Sequence, residues 1–577
     1  MPDPYEILAE RLAPAFAAVA GTAADPVVRP SDRADAQANG ALALAKALGR
    51  PPRDVAAAVL EAAGEGLADI CSAVAIAGPG FLNLTFSDDF LERQLAGQTG
   101  DDRLGVTPAT TPERVVVDYS APNVAKEMHV GHLRSTVIGD AIARLLGHLG
   151  HTVMLENHIG DWGTPFGMLI EHLVDLGEDE AAHELSVGDL DTFYKQARAT
   201  FDRDYAFKER ARLRVVALQA GDPETVRLWH LLVAESTRYF DEVYHRLGVL
   251  LTDDDLRGES AYNDLLPDVV ARLQDKGMLT VSDGAEVVFP PGFTNREGDP
   301  LPLIIRKRDG GYNYATTDLA CVIDRVERKG ATLLLYVVGS PQAQHLQMVW
   351  AVAAEAGWLV PPVRAVHVAF GSVLGSDRKI MKSRAGASNK LVDLLDEAVQ
   401  RAGAAVAEKN PELTPEERKA VAHAVGIGAV KYADLATDRI KDYVFDWDRM
   451  LAFEGNTAPY LQYAHARICS IFRRAETARD SVRTVMPRLA TPEERALGLR
   501  LLAFDGAVQD TADKLAPHRL CGYLFDLASD FTAFYEACPV LRADEGTRRS
   551  RLALCDLTAR VLERGLGLLG IDAPDRM

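Results

Sequence analysis

The stretch RVVVDYSAPNVAKEMHVGHL, residues 114–133, decides the fold of this chain of 577 residues. Its β-branched residues Val115 to Val117 predict a short buried strand, the following Ser-Ala-Pro-Asn breaks that strand, and a helical pattern begins near Gly131. A tight turn therefore brings His129 and His132 to the N-terminus of a helix, where backbone N–H groups and the helix dipole favour anions. The stretch predicts a polyphosphate site at this turn.

Basic and hydroxyl side chains close to the two histidines support this prediction. Lys126 precedes them, and Arg134 and Ser135 follow, so charged and hydroxyl donors are available to phosphate oxygens. The four residues H-x-G-H are a weak signal in a long chain, since two histidines near a turn are often surface or satisfied core residues. The preceding strand and the neighbouring bases favour the phosphate site.

The composition indicates a globular enzyme of several domains. Hydrophobic residues make up 47% and charged residues 25% of the chain, and its length predicts roughly three to five folded units. No apolar run approaches the ~20 residues of a membrane span, and the N-terminus lacks the basic segment of a secretory signal, so we expect a cytoplasmic protein that does not contact a membrane. The net charge of −20 leaves RNA possible as a partner, because a basic stripe suffices to contact phosphates.

The six cysteines stand singly in the sequence, at Cys71, Cys321, Cys469, Cys521, Cys538 and Cys555. The lack of a C-x-x-C pair argues against a structural zinc site and against a disulfide framework. The acidic run 253–255 is typical of a solvated turn. We therefore predict no metal site.

The histidine turn resembles a known signature. His129-Val130-Gly131-His132 is similar to the HIGH signature of class I aminoacyl-tRNA synthetases, and the longer SAPNVAKEMHVGHLRST resembles bacterial arginyl-tRNA synthetases. The resemblance implies that L-arginine is activated with ATP to arginyl-adenylate, with Mg²⁺ accompanying the ATP. It further implies transfer of the arginyl group to the 3′ end of tRNA(Arg).

The remainder of the chain fits the fold that the resemblance implies. Residues 1–105 combine helical spacing with a strand pattern and resemble the small N-terminal α+β domain that contacts tRNA in this family. Residues 106–390 alternate strands and helices, as a class I Rossmann-type catalytic domain does, with an insertion near 171–300 in which residues 171–260 have a charged helical pattern. The predicted fold class is therefore α/β.

The last third of the chain is predicted to be helical. Residues 391–450 form a connecting helical region, and residues 451–577 resemble the all-α anticodon-binding domain of the family. We expect no strand after about residue 420. Aromatic residues interleaved with bases suit splayed RNA bases and phosphates, although most of these side chains would also fit an ordinary helical bundle. They are Tyr443, Phe445, Trp447, Tyr460, Tyr463, Lys431, Arg439, Lys441, Arg449, Arg467, Arg473 and Arg474.

A second strand-turn-helix pattern predicts an arginine pocket. Leu303 to Arg306 form the strand, Asp309-Gly310-Gly311 the turn, and Thr317 a possible N-cap of the next helix. If the helix reaches back to Tyr314, that phenol and Asp318 share one face and suit a guanidinium. The alternative is that Asp318 only stabilises the first helical turn.

The resemblance implies which residues bind arginine. Asn123 and Asn157 would lie near its α-amino and carboxylate groups, and Asp318 would pair with the guanidinium. A carboxylate partner would reject neutral isosteres, and lysine lacks the planar fork of arginine. The predicted arginine-binding residues are Asn123, Asn157, Tyr314, Asp318 and Gln342.

A basic loop before residue 390 resembles the KMSKS loop of class I synthetases in its altered arginyl form. Met381 aligns with the methionine of that signature, Ser383 replaces its second lysine, and the resemblance implies that Lys126 takes over the missing charge. A mobile cationic loop suits a triphosphate whose charge moves during reaction. The predicted catalytic residues are His129, His132, Lys126 and Lys382, and the predicted ATP-binding residues are His129, Gly131, His132, Lys379, Met381 and Lys382.

Three other functions are compatible with parts of the sequence. A paralogue could pass an aminoacyl group to a small molecule or serve as a self-resistance copy. An RNA-binding protein without catalysis has no reason to keep His129, His132 and Lys126, and a small-metabolite nucleotidyltransferase has no need of the helical C-terminal part. Arginine–tRNA ligase is therefore the leading prediction, with the chain acting as a monomer.

Overall fold

The computed structural model describes residues 3–177, 190–375, 377–381 and 390–577. Its N-terminal part contains α1 Pro4–Ala20, β1 Val28–Ser31, β2 Ala34–Ala38, α2 Gly40–Leu48, α3 Pro52–Ala63, β3 Cys71–Ala77, β4 Phe81–Phe86 and α4 Asp88–Gly100. The four strands form an antiparallel sheet in the order β1-β2-β4-β3. Alternate residues of β4 are buried, which explains the period-two pattern of its sequence. The predicted α+β character of this part is confirmed.

The strand, turn and helix predicted within residues 114–133 are also confirmed. The elements here are β5 Arg114–Asp118, α5 Val130–His148, β6 Thr152–Glu156 and α6 Thr164–Leu176. Val115 and Val117 pack into one hydrophobic cluster and Val116 into another. Because both faces of β5 are covered, its sequence is apolar throughout rather than alternating.

Helices dominate the segment that follows, as predicted. They are α7 Leu190–Arg203, α8 Tyr205–Gln219, α9 Pro223–Leu247 and α10 Leu266–Asp275. A small antiparallel sheet then contains β7 Thr280–Ser282, β8 Ala285–Val288 and β9 Leu303–Arg306. Strands β7 and β8 lie inside the predicted insertion near 171–300, after residues 171–260, for which the helical pattern was predicted. Asp283 and Gly284 join them with positive φ values of 49° and 79°, as a tight hairpin requires.

The central sheet is completed by elements that come later in the chain. These are α11 Tyr314–Ile323, β10 Leu333–Tyr336, α12 Ala343–Glu355 and β11 Arg364–His367. The strands are all parallel, in the order β11-β10-β5-β6. Their carboxyl ends therefore meet at one edge, where ligands bind in such sheets. The segments that follow β5, β6 and β10 contain most of the predicted site residues.

The prediction that Thr317 caps helix α11 was wrong. The helix begins at Tyr314, three residues earlier. Before it, the Asn313 N–H donates to the Ile305 carbonyl at 3.1 Å, and Thr316 Oγ1 donates to the same carbonyl at 2.5 Å. These bonds to β9 fix the helix start, and they place Tyr314 and Asp318 one turn apart on the same helix.

The C-terminal part is almost entirely helical. Its elements are β12 Val373–Leu374, α13 Leu391–Lys409, α14 Pro415–Leu435, β13 Tyr443–Val444, α15 Trp447–Met450, α16 Ala458–Ala475, α17 Pro492–Leu502, α18 Phe504–Lys514, α19 His518–Ala537 and α20 Glu545–Leu568. The expectation of no strand after about residue 420 was wrong for β13, which pairs in parallel with β12. A strand of two residues leaves no periodic pattern in the sequence. Among the described helices, none has the length and hydrophobicity needed to cross a membrane.

Candidate active site

The two histidines of the turn cap helix α5. His129 Nδ1 accepts a hydrogen bond from the Gly131 N–H at 3.0 Å, and His132 Nδ1 accepts one from the His129 N–H at 3.1 Å. Each side chain thus satisfies a backbone donor at the helix end, where no carbonyl of the helix can serve. The two rings lie against each other, with their centroids 4.0 Å apart.

These hydrogen bonds fix the tautomer of both rings. A ring nitrogen that accepts a hydrogen bond carries no proton, so each ring carries its hydrogen on Nε2. Burial and the neighbouring His129 lower the pKa of His132 to about 3, so this ring is neutral at pH 7. The turn therefore presents N–H donors on neutral rings, which suit the oxygens of a polyphosphate.

Only glycine fits between the two histidines. A Cβ atom on Gly131 would lie 2.7 Å from Cε1 and 2.9 Å from Nδ1 of His129. Both distances are shorter than van der Waals contact, so any side chain at position 131 would push the His129 ring out of its capping position. The glycine is thus required by the histidine turn itself, in addition to its predicted part in ATP binding.

Lys126 lies between the turn and the helical insertion. Its Nζ is 4.5 Å from the centroid of the Tyr194 ring on α7, a distance typical of a cation–π contact. Its charge also contributes to the low pKa of His132. The ammonium therefore lies close enough to the histidines to act on the same phosphate chain.

A short hairpin carries the start of the basic loop. Ile380 pairs with Leu374, and the Met381 N–H donates to the Val373 carbonyl at 3.0 Å. Lys379 is exposed on the returning segment, whereas the Met381 side chain packs against the main hydrophobic core. The hairpin therefore presents the lysine to solvent and anchors the methionine.

The basic loop returns to the histidine turn. Lys382 lies outside the described residues, and the description resumes at Lys390, whose backbone forms a bridge with His129. The Leu391 N–H then donates to the Met128 carbonyl at 2.9 Å. One end of the loop is thus held by β12 and the other by the histidine turn.

The predicted guanidinium residues lie together on α11 and α12. Asp318 Oδ2 is 2.5 Å from His345 Nε2, and the Tyr314 ring lies 4.7 Å from the His345 ring. Tyr314 is 61% exposed and the Asp318 side chain 24% exposed, so both can be reached from solvent. Gln342 is exposed at the residue before α12. Asp318 is in the second turn of α11, too far from its N-terminus for capping to be its main role.

The two predicted asparagines differ in exposure. Asn123 is exposed and pairs through its backbone with Gly160. Asn157 is fully buried, its Oδ1 accepts from the Ala121 N–H at 3.0 Å, and its Nδ2 donates to the Tyr244 hydroxyl at 2.9 Å. Asn157 therefore connects the turn after β5 to α9. Its direct contact with arginine stays a prediction.

His345 and Glu259 lie at this site although neither residue was among the predicted site residues. The Glu259 N–H donates to the Ile159 carbonyl at 3.1 Å, which places Glu259 beside the loop after β6. Burial raises the pKa of Glu259 to about 7; the nearby His158 lowers it, and the negative charges of Asp161 and Asp318 raise it further. No sequence signal linked residue 259 to residue 318, because only the tertiary fold brings them together.

A buried arginine holds the strand ends beneath the site. The Arg325 guanidinium donates to Asp118 Oδ2 and to Glu156 Oε2, each at 2.7 Å, and these are the last residues of β5 and β6. It also lies 4.8 Å from the ring of Tyr336, the last residue of β10. Burial raises the pKa of Glu156, but the charges of Arg325 and Lys329 outweigh this and lower it. One buried guanidinium therefore contacts the last residues of β5, β6 and β10.

Comparisons with known proteins identify the family of this chain. The family model described as the catalytic domain of class I (R) tRNA synthetases matches residues 99–447. The models of the arginyl tRNA synthetase N terminal domain and of the DALR anticodon binding domain match residues 6–86 and 461–577. The arginine–tRNA ligase of Thermobifida fusca is 56% identical over 582 residues and covers 100% of both chains. The chain belongs to the arginyl-tRNA synthetase family. The ligase of Frankia casuarinae is 53% identical, over 96% of this chain and 95% of its own.

Solved structures of arginyl-tRNA synthetases show the same fold. The Plasmodium falciparum enzyme aligns with a TM-score of 0.87 and 27% identity over 100% of both chains. The Thermus thermophilus enzyme aligns with a TM-score of 0.83 and 28% identity, over 99% of this chain and 100% of its own. The predicted class I catalytic domain, N-terminal domain and all-helical anticodon domain are thereby confirmed. The division of this synthetase at residues 105, 390 and 450 stays a prediction.

The C-terminal domain of this synthetase contains a basic cavity of about 880 Å³. Four side chains that the sequence associated with RNA line it, together with others that were not predicted. The lining includes Tyr463, Arg467, Arg473, Arg474, Tyr535, Arg542 and Arg576. The Arg467 guanidinium lies 4.9 Å from the Tyr463 ring and 5.5 Å from the Tyr535 ring. Aromatic faces and positive charges therefore alternate, as RNA bases and phosphates require.

Other residues of the interleaved pattern serve packing. Lys431 is fully buried and donates to the Leu247 carbonyl at 2.9 Å, and burial lowers the pKa of its ammonium to about 8. Tyr443 and Phe445 are buried as well. For these three side chains the structure favours packing in the protein interior over contact with RNA.

Proposed function

We propose that this protein is an arginine–tRNA ligase. In the first step a carboxylate oxygen of L-arginine attacks the α-phosphorus of ATP, the bond from that phosphorus to the bridging oxygen breaks, and pyrophosphate leaves. In the second step a ribose hydroxyl at the 3′ end of tRNA(Arg) attacks the arginyl carbonyl, and AMP leaves. The family membership and the names of the full-length relatives support this reaction.

One observation supports the proposal most directly: two complementary subsites lie at one edge of the central sheet. The turn with His129 and His132 offers N–H donors at a helix N-terminus, which suits the phosphates of ATP. The loop after β6 pairs with Asn123 of this turn through Gly160, and its His158 lies near Asp318. The Asp318 carboxylate suits a guanidinium. A carboxylate and a triphosphate bound in these two subsites would be adjacent.

In the first step the protein acts by positioning and electrostatic stabilisation. We assign His129 and His132 to oxygens of the reacting phosphates, where charge accumulates during the displacement. We assign Lys126, Lys379 and Lys382 to the leaving pyrophosphate. Lys382 belongs to the segment outside the described residues, and Met381 lies at the base of the basic loop. Mg²⁺ would enter with ATP and neutralise part of its charge. We assign it no protein ligand.

The two carboxylates of the pocket would select arginine over other amino acids. Asp318 and Glu259 would face the guanidinium, with Tyr314 and Gln342 at its rim, while Asn123 and Asn157 support the α-amino end. A neutral amino acid of similar size would leave the two carboxylates without the cationic partner that arginine provides, which weakens its binding. Lysine would offer a point charge in place of a planar fork.

In the second step the C-terminal cavity with Arg467 and Tyr463 would bind the anticodon region of tRNA(Arg), and the N-terminal domain would contact the tRNA elsewhere. We propose that the enzyme acts in the cytoplasm, because its tRNA substrate is consumed in translation there. We also propose a monomer, since one chain supplies the catalytic and the RNA-binding parts. A paralogue with a small-molecule acceptor is not favoured, because the full-length relatives are named as arginine–tRNA ligases.

The decisive experiment is ATP–pyrophosphate exchange with each of the twenty amino acids, with and without total tRNA. We expect exchange with arginine alone, and only when tRNA is present, as the family resemblance implies. Exchange with another amino acid, or none with arginine under either condition, would refute the proposed function. Aminoacylation of tRNA(Arg) with labelled arginine then tests the second step.

A further inference from the structure

The arginine pocket brings together three side chains that could bind one metal ion. A ring nitrogen of His158, a carboxylate oxygen of Asp318 and the Sγ of Cys321 all lie within 4.8 Å of one another. Asp318 and Cys321 are three residues apart on α11 and so share a face, whereas His158 comes from the loop after β6. Nitrogen, oxygen and sulfur donors in one cluster are the ligand set of Zn²⁺ rather than of Mg²⁺.

The imidazole of His158 is oriented for such a role. Its Nδ1 lies 3.0 Å from the Arg257 carbonyl oxygen, so Nδ1 carries the hydrogen and donates it. The lone pair is then on Nε2. A histidine that donates its other ring N–H to a backbone carbonyl is the usual arrangement of a metal ligand, because the carbonyl fixes both tautomer and ring orientation.

The carboxylate is oriented by a second imidazole. His345 Nε2 lies 2.5 Å from Asp318 Oδ2, which restrains the rotation of the carboxylate and leaves Oδ1 for another partner. Two ligands on a tetrahedral zinc ion are about 3.5 Å apart. The three donors can therefore converge on one ion by small side-chain rotations.

We propose that the arginine pocket, when arginine is absent, binds Zn²⁺ through His158, Asp318 and Cys321, and that the metal ion and arginine exclude each other. Water fills the fourth position, as it does in zinc sites that are open to solvent. On binding, the Cys321 thiol releases its proton to solvent and its sulfur bonds to the ion. Exclusion follows because the ion occupies the carboxylate that pairs with the guanidinium, and in this respect the inference rests on the proposed function.

Kinetics with the full-length protein test this inference. Arginine-dependent pyrophosphate exchange is measured at saturating ATP and tRNA over a series of buffered free Zn²⁺ concentrations. We expect the apparent KM for arginine to rise linearly with free Zn²⁺ while kcat is unchanged. The variant Cys321→Ser, compared with its own activity in chelator, should be inhibited about 10-fold less strongly. Inhibition that arginine does not relieve, or equal inhibition of the Cys321→Ser variant, would overturn the proposal.

The chain itself provides a matched control. His465, Cys469 and Asp575 form the other such group of metal-ligand side chains among the described residues, far from the catalytic part in the sequence. The variant Cys469→Ser removes a thiol there and should retain full Zn²⁺ inhibition. Loss of inhibition in this variant would show that the inhibitory Zn²⁺ binds in the C-terminal domain, and it would refute the proposal.

Binding of Co²⁺ in place of Zn²⁺ gives a second readout that needs no catalysis. We expect the substrate-free protein to show a thiolate-to-cobalt absorption band that disappears in Cys321→Ser and on addition of excess arginine. If the band behaves in this way but no arginine-dependent exchange is seen, the metal site is supported and the proposed function fails. A band insensitive to Cys321→Ser would refute the metal site while leaving the proposed function intact.

Discussion

Arg134 and Asp434 form a buried ion pair that joins helix α5, which begins at the histidine turn, to helix α14. The Arg134 Nε lies 3.1 Å from Asp434 Oδ2, and the two side chains are 1% and 0% exposed. Arg134 Nη1 also donates to the Lys441 carbonyl at 2.9 Å, and its guanidinium lies 5.3 Å from the ring of Tyr443 on β13. Because β13 pairs with β12, one side chain connects the histidine turn to the base of the basic loop.

Breaking this pair should destabilise the protein strongly. The variant Asp434→Asn leaves the buried Arg134 charge without its partner, which costs about 3 to 5 kcal/mol. We expect a clearly lower midpoint of urea denaturation, followed by loss of pyrophosphate exchange. The variant Asp202→Asn is the control, because it breaks the Arg198–Asp202 pair, which is more than half exposed, and should change stability by less than about 1 kcal/mol. Equal midpoints for the two variants would contradict this prediction.

Gly131→Ala should impair catalysis without unfolding the protein. The added Cβ would meet the His129 ring at 2.7 Å, so the ring must leave its capping position, from which we propose that it donates to phosphate. We expect kcat of exchange to fall by about 100-fold while the KM for arginine changes little. Gly147→Ala, in the same helix with no atom within 4 Å of the new Cβ, should keep its kcat. The prediction fails if both alanine variants have the same kcat.

Asp318→Asn should raise the KM for arginine and leave ATP binding intact. A charge-assisted hydrogen bond is worth about 1.5 to 3 kcal/mol, so we expect the KM for arginine to increase by roughly 10- to 100-fold. The control is Asp309→Asn in the exposed turn before α11, which should behave like the unaltered protein. An unchanged KM for arginine in Asp318→Asn would refute the assignment of this residue to the guanidinium.

Arginine binding should strengthen as the pH rises through 7. Burial raises the pKa of Glu259 to about 7, so below that pH its carboxyl is mostly protonated and contributes no charge. Above it the ionised carboxylate can pair with the guanidinium, and the KM for arginine should fall by up to about 10-fold between pH 6 and 8. Glu259→Gln carries no titrating group at this position and should show a flatter profile. A profile identical to that of the unaltered protein would exclude Glu259 as the cause.

Arg467→Ala should weaken tRNA binding selectively. Its guanidinium lies between the rings of Tyr463 and Tyr535 in the C-terminal cavity, where it can contact both a phosphate and a base. We expect the KM for tRNA to rise by roughly 10-fold, with a weaker dependence on salt, and the KM values for ATP and arginine to stay constant. The control Arg328→Ala removes a side chain that is 61% exposed and loosely paired with Asp324 at 3.8 Å. A KM for tRNA that rises equally in both variants would argue against a specific role of the cavity.

The sequence by itself determined the parts of the site that depend on neighbouring residues. The strand at 115–117, the turn with His129 and His132, and the face shared by Tyr314 and Asp318 were all predicted, because strand burial, helix start and helix periodicity are local properties. The same holds for the class of the fold, which follows from the alternation of such elements. Family resemblance added the roles of these residues, which the local pattern could not supply.

The tertiary structure decided which distant residues share the site. His345 and Glu259 lie near Asp318 although they belong to other elements. Strand β13 pairs with β12, about 70 residues earlier in the chain. Buried Asn157 connects the turn after β5 to α9 through its hydrogen bonds. None of these relationships has a periodic signal, because each is fixed by packing between elements that are far apart in sequence. The start of α11 at Tyr314 has the same origin, since hydrogen bonds to β9 overrode the local preference of Thr317 for a cap. Local sequence patterns thus determined the motifs, and only packing between distant elements determined which other residues lie around them.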